Sequence, residues 1–260
     1  MADYVEIGGM RTWYDEHGKG DPLVLMHGGL TDARAFDANV DALADHFHVH
    51  TPERQGHGHT PDVEGPLTYE GMAWDTIEFL DTVVGGPAHL VGWSDGANIA
   101  MLTALQRPDL VRRMVLVSGN FHHDGAVPEI LAETDVNPAS VPPLMEPLAA
   151  AYGQVSPDGQ EHFIVMVRKV LQLATTSPTL ATDDLGRITN RTLVMAGDDD
   201  MIAAEHTVAL YRALPNSELA VIPGTSHFLL AEKPALCNML VVDFLTTEPA
   251  PTMMPIRRAA

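Results

Sequence analysis

Gly92-Trp93-Ser94-Asp95-Gly96 is the stretch of this chain best fitted to do chemistry. It follows a short apolar run, Ala88 to Val91, and opens an alanine-rich helical run, Ala97 to Leu105. A strand that breaks directly into a helix around Gly-x-Ser-x-Gly forces the serine onto a sharp turn, with its hydroxyl exposed above the sheet edge. The helix that starts there aims free N–H groups and its positive end at charge developing on a bound carbonyl oxygen. Serine is a weak nucleophile unless a base lies within hydrogen-bond reach and an acid orients that base. Two later loops offer the partners. The strand predicted at Glu218–Ile222 runs into Pro223-Gly224-Thr225-Ser226-His227-Phe228, and the strand ending near Met195 runs into Gly197-Asp198-Asp199-Asp200. Loops at the carboxyl ends of parallel strands converge on one crevice, where a serine, a histidine and a carboxylate can meet.

The elements that must position these groups are legible as periodicity. Tyr4–Ile7 and Met10–Glu16 alternate around Gly8-Gly9 and predict a hairpin. Pro22–Met26 is a continuous apolar strand leading into His27-Gly28-Gly29. Phe36–Phe47 carries apolar residues at helical spacing, His48–Pro52 is a strand, and Thr68–Val84 is an amphipathic helix with Thr68 as N-cap. Further strands are expected at Arg113–Val117 and Asn190–Met195, and helices at Glu205–Leu214 and Pro234–Leu245. Strands alternating with helices imply an α/β fold: a mostly parallel central sheet with helices on both faces. Residues 121–186 break this rhythm with repeated prolines and helical patterns, and read as an inserted helical cap. The expected organisation is a core of residues 1–120 and 187–247, the cap at 121–186, and a proline-rich tail at 248–260.

Composition narrows the function classes. The 260 residues carry 35 acidic against 15 basic side chains, a net charge of −20, which repels a phosphate backbone and argues against nucleic-acid binding. The single cysteine, Cys237, cannot form an internal disulfide, which fits a cytoplasmic, reducing setting. No apolar run approaches the ~18 residues a membrane span needs, and no basic-then-apolar leader is seen.

The chain resembles an α/β-hydrolase-fold serine hydrolase over nearly its full length. Four motifs carry the resemblance: His27-Gly28-Gly29, the Gly56-His57-Gly58 loop, Gly92–Gly96, and Gly224–His227 followed by Glu232-Lys233-Pro234. It implies Ser94 as nucleophile, His227 as base and Asp200 as acid, the family's acid sitting three residues after the loop glycine. Asp198 and Asp199 are then solvated or loop-stabilising neighbours. Some members carry the acid after the preceding strand, but Ser118-Gly119-Asn120 offers no carboxylate here. The oxyanion hole implied is the backbone N–H of Gly29 and of Asp95, with Leu30 the next candidate if the loop is shifted by one. His27 is read as tying its loop to neighbouring backbone. Leu30, Asp95, His122 and Phe228 are the residues expected to meet substrate.

Gly-Trp-Ser-Asp-Gly also resembles the serine turn of valacyclovir-hydrolase-like enzymes, in which the matching aspartate is implicated in receiving an ammonium group. The following Gly96-Ala97 departs from that pattern. The other reading of Asp95 is a carboxylate placed favourably at a helix N-terminus. His46, His48 and His50 share i, i+2 spacing and could ligate a metal, yet no cysteine or carboxylate pattern lies beside them, so no metal or organic cofactor is expected. Trp93 is expected to pack beneath the serine turn, and Met145, Phe163 and Met166 to form helix-packing core. The activity implied is cleavage of a small-molecule carboxylic ester or lactone through an acyl-enzyme. A carbon–carbon bond hydrolase, a cofactor-free perhydrolase and a non-catalytic small-molecule receptor are the alternatives, and a homodimer is left open.

Overall fold

The computed structural model describes residues 2–249 and 251–255, with the backbone alone at 131–133. A hairpin of β1 (Asp3–Ile7) and β2 (Met10–Tyr14) stands apart as its own two-stranded sheet. The main sheet has seven strands: β3 (Glu16–Gly18), β4 (Asp21–Met26), β5 (Phe47–His50), β6 (Ala88–Trp93), β7 (Val111–Val117), β8 (Arg191–Gly197) and β9 (Ser217–Ile222). Their order is β3-β5-β4-β6-β7-β8-β9, all parallel except the edge strand β3, which runs antiparallel to β5. The α/β class and mostly parallel sheet read from the sequence are what the chain adopts.

Alternating side chains of the buried strands feed two cores, as the pleat requires. Val24, Met26, Leu90, Met114 and Leu116 face one side, where α2 (Tyr69–Phe79), α3 (Asp95–Gln106) and later α8 (Ala204–Ala213) pack. Leu23, Leu25, Val49, Val91, Val115 and Val117 face the other. There they meet α1 (Val40–Ala44), α9 (Leu229–Glu232) and α10 (Pro234–Thr246). Thr68 caps α2 as its sequence predicts, accepting from the Gly71 N–H at 3.1 Å. The helix expected over Phe36–Phe47 is shorter. A 3-10 turn at Ala33–Phe36 precedes α1, and the Asn39 amide is buried and donates to Leu230 O and Asn238 Oδ1. Those tertiary bonds take Asn39 out of the helix and set its start at Val40.

From 118 to 190 the chain adds no strand to the main sheet. It carries α4 (Pro128–Glu133), α5 (Glu146–Gly153), α6 (Phe163–Thr176) and α7 (Thr182–Leu185). Phe163, Met166, Val167, Val170 and Leu173 of α6 are buried in the same core as α2 and α3, as helix-packing residues. Arg34 joins this excursion to the sheet side, donating to Ala151 O and Gln154 Oε1. Among the described residues, no helix is long and apolar enough to cross a membrane. Thr247 O, at the start of the proline-rich tail, accepts from Arg113 and Arg191; residues 250 and 256–260 of that tail lie outside the described residues.

Candidate active site

Ser94 sits between β6 and α3 with φ 55° and ψ −120°. The glycines around it are required by close approach. A side chain at Gly92 would start 2.3 Å from Gly96 O, and one at Gly96 would start 2.0 Å from Met26 O. The turn is pinned by the Ser94 N–H, which donates to Val117 O at 2.9 Å. Leu30 and Ser118 also have positive φ, 58° and 51°, on loops that leave the carboxyl ends of β4 and β7. Strained non-glycine backbone of this kind collects at functional sites.

His227, beyond β9, lies with Nε2 3.0 Å from Ser94 Oγ and Nδ1 2.8 Å from Asp200 Oδ1. An ionised carboxylate can only accept, so Nδ1 carries the proton and Nε2 is the lone pair facing the Ser94 hydroxyl. The His227 backbone is held by Trp93, whose Nε1–H donates to the carbonyl oxygen of His227 at 2.8 Å. The Asp200 side chain is 2% exposed and is surrounded by donors. Its Oδ2 accepts from Ser118 Oγ at 2.5 Å and from the Gly197 N–H at 3.3 Å, and Oδ1 also accepts from the Ile202 N–H at 3.1 Å. Burial works to raise this carboxyl, but the bonds from His227, Ser118 and Ile202 outweigh it and hold the group below the usual carboxylate range. Asp198, two residues earlier, turns away and braces the histidine loop by accepting from the Thr225 N–H.

The loop after β4 faces the serine turn. The His27 ring is buried between backbone groups, with Nδ1 on Gly28 O at 2.9 Å and Nε2 accepting from the Arg54 N–H at 3.2 Å. The Arg54 guanidinium donates to His27 O and Gly28 O. His57 Nδ1 bonds Gln55 O, leaving Nε2 to accept the Leu30 N–H at 3.1 Å. That bond commits the Leu30 N–H elsewhere, whereas neither the Gly29 nor the Asp95 N–H donates to another described residue. Burial, reinforced by the Arg54 charge, drives the His27 imidazole well below its ordinary value and His57 down to about 3, so both rings are neutral struts. Arg54 and His57 were not singled out as loop-fixing residues in the sequence, although the Gly56-His57-Gly58 motif marked the place.

The Asp95 carboxylate is buried. Its Oδ1 accepts from the Tyr69 hydroxyl at 2.6 Å, and Oδ2 lies 2.6 Å from where a side chain at Gly29 would begin. A cavity of about 270 Å³ opens beside the serine turn, lined by Leu30, Trp93, Leu148, Ala151, Tyr152 and Phe228 among others. Its wall includes the residue before Ser94 and the residue after His227, though not those two themselves. Leu30 and Phe228, two of the residues expected to meet substrate, both line this cavity. Trp93 both packs beneath the turn and faces the cavity. His122 does not line it: the ring stacks on His123 and accepts from the Asp124 N–H at 3.3 Å, because a tight turn over 123–125 folds it toward its own neighbours.

A serine hydroxyl, an oriented imidazole and a buried carboxylate in one hydrogen-bonded line can pass a proton from oxygen to nitrogen while the carboxylate balances the cation. Comparison with known proteins agrees in class. Residues 23–238 match the model of the alpha/beta hydrolase family. An (E)-2-((N-methylformamido)methylene)succinate hydrolase of Acinetobacter baylyi is 26% identical over 91% of this chain and 94% of its own length. A pimeloyl-[acyl-carrier protein] methyl ester esterase of Vibrio cholerae is 28% identical over 91% of this chain and 99% of its own. The crystal structure of the enol-lactonase from Burkholderia xenovorans superposes with a TM-score of 0.75 at 22% identity, covering 94% of this chain and 100% of that one, a likeness of fold. With a family match over most of its length, this chain belongs to the alpha/beta hydrolase family and is a hydrolase.

Proposed function

We propose that the protein is a serine hydrolase that cleaves a carboxylic ester or lactone of a small molecule. The observation that carries this reading is the Ser94–His227–Asp200 line, with contacts of 3.0 and 2.8 Å. Ser94 Oγ attacks the substrate carbonyl as His227 Nε2 takes its proton. Asp200 holds the imidazole in the tautomer that accepts at Nε2 and stabilises the imidazolium. The backbone N–H groups of Gly29 and Asp95 receive the oxyanion, aided by the N-terminal end of α3. His227 returns the proton to the leaving alcohol, then activates water to release the acid and restore Ser94. Residues 121–186 serve as the cap, and the apolar wall of Leu30, Leu148, Ala151 and Phe228 takes the hydrocarbon part of the substrate. A cytoplasmic setting belongs to this reading, which a lone, buried Cys237 suits.

The test is Ser94→Ala against p-nitrophenyl esters, together with labelling by a fluorophosphonate. The wild type is expected to label at Ser94 and turn over. The variant should lose labelling and about 10⁵- to 10⁶-fold in kcat with its unfolding midpoint nearly unchanged. Wild-type turnover in Ser94→Ala refutes the assignment.

A further inference from the structure

At the edge of the main sheet, β3 and β5 bring together three side chains that take no part in the Ser94–His227–Asp200 line. Glu16 is the direct cross-strand partner of His50, and Gly18 is the partner of His48. Paired residues in an antiparallel ladder present their side chains on the same face, and so do residues two apart in one strand. Glu16, His48 and His50 therefore share a face, and Gly18 adds no side chain opposite His48. His48 Nε2 lies 3.0 Å from Glu16 Oε2, and His50 Nδ1 lies 3.9 Å from Glu16 Oε1. One ligand atom of each residue falls within 4.8 Å of the other two.

We infer that Glu16, His48 and His50 form a binding site for a divalent first-row metal ion, best fitted to Zn²⁺, that clamps the edge strand β3 to β5. The donor set is two imidazole nitrogens and one carboxylate without thiolate, which suits zinc and its neighbours rather than the all-oxygen shells of Ca²⁺ or Mg²⁺. Zinc bonds of about 2.0–2.2 Å in a tetrahedron put donor atoms about 3.3 Å apart, a spacing that small side-chain rotations reach from the distances found here.

A second, independent observation comes from His50. It is 2% exposed, and its Nδ1 is buried with no hydrogen-bond partner among the described residues, because 3.9 Å to Glu16 is too long for one. An orphaned buried nitrogen is costly, and a metal ion between it and Glu16 satisfies it. His48 and Glu16 are about a third exposed, so an ion has a way in and water has room at the open coordination position. The surplus of acidic residues raises the cation concentration near the surface. His46, the third histidine of the sequence run, is exposed, precedes β5 and takes no part. The carboxylate that the local sequence lacked arrives across the ladder from Glu16.

His122, His123 and Asp124 form another cluster of metal-ligating atoms, but on three consecutive residues with none buried, and they provide an internal control. The experiment titrates ZnCl₂ into chelator-stripped full-length protein by calorimetry, with thermal melts in parallel. The wild type and the His122→Ala/His123→Ala variant are expected to bind one equivalent through the sheet-edge site, with a raised melting temperature. Glu16→Gln and His48→Ala should lose about tenfold or more in affinity, together with the thermal shift, while ester hydrolysis stays unchanged. Imidazole resonances of His48 and His50 in the wild type should move on adding zinc, a readout independent of any variant. Absence of saturable binding, binding that survives intact in Glu16→Gln and His48→Ala, or binding lost in His122→Ala/His123→Ala overturns the site.

Discussion

The Ser118 hydroxyl donates to Asp200 Oδ2 at 2.5 Å, taking an oxygen that His227 does not use. The two contacts divide the labour on one carboxylate: Oδ1 orients the imidazole, while Oδ2 is held against β7's loop. Ser118 has a positive φ, and its own N–H is anchored on Met195 O at 2.8 Å. A hydrogen bond to a buried charge contributes about 1.5–3 kcal/mol. Ser118→Ala should therefore lower kcat on p-nitrophenyl esters by about tenfold or more with KM little changed. Steady-state kinetics that show no loss would remove Ser118 from the positioning of Asp200.

Asp95 is tested by comparing substrate classes. With Oδ1 held by Tyr69 and Oδ2 turned toward Gly29, the carboxylate places negative charge beside the loop that faces Ser94. Asp95→Ala is expected to raise KM for aminoacyl esters while leaving KM for acetyl esters nearly unaltered. Equal losses on both would assign the carboxylate to holding the turn through Tyr69 alone.

The cavity wall sets a size limit. Ala151 on α5 faces Leu30 and Phe228 across a space of about 270 Å³. Ala151→Trp fills part of it and should cut kcat/KM for long-chain p-nitrophenyl esters about tenfold relative to the acetate. A uniform change along the chain-length series would show that substrate does not occupy this cavity.

Acid should destabilise the fold through its buried histidines. Burial holds His57 at about 3 and His50, His89 and His206 at about 4, with His27 also lowered, against 6.5 for an ordinary imidazole. Folded values below the unfolded one mean that the unfolded chain binds more protons between them, so stability rises with pH in that window. The free energy of unfolding from urea titrations should be flat in this respect above about pH 6.5 and fall steeply as pH drops toward 4. All five imidazoles act in the same direction, so their losses in acid reinforce one another. His57→Gln should lessen the slope; an acid limb that keeps its wild-type steepness would rule out His57 as a contributor.

Much of the serine end of the site was legible because it is local. The strand-to-helix break at Gly92–Gly96 is encoded by residues within one turn of Ser94, where any side chain at either glycine would strike backbone 2.0–2.3 Å away. Alternating and continuous apolar runs likewise revealed the strands, since each strand's burial is written along its own length. The helix at Phe36–Phe47 misled because Asn39 answers to Leu230 and Asn238, nearly 200 positions away in the sequence. His122 bonds within its own turn and lies off the cavity wall, a placement that its neighbours in sequence do not record.

By itself, the sequence determined the α/β class, the strained serine turn and the pair of loops that supply a histidine and a carboxylate. Tertiary structure alone decided how those side chains are held. It chose Asp200's second partner, Ser118. It committed the Leu30 N–H to His57 and left that of Gly29 unclaimed among the described residues. It also carried Glu16 across a ladder to His48 and His50. The physical reason is that hydrogen bonds and packing act between residues adjacent in space. A linear chain records each residue's own preferences but not which distant partner will satisfy its last donor or acceptor.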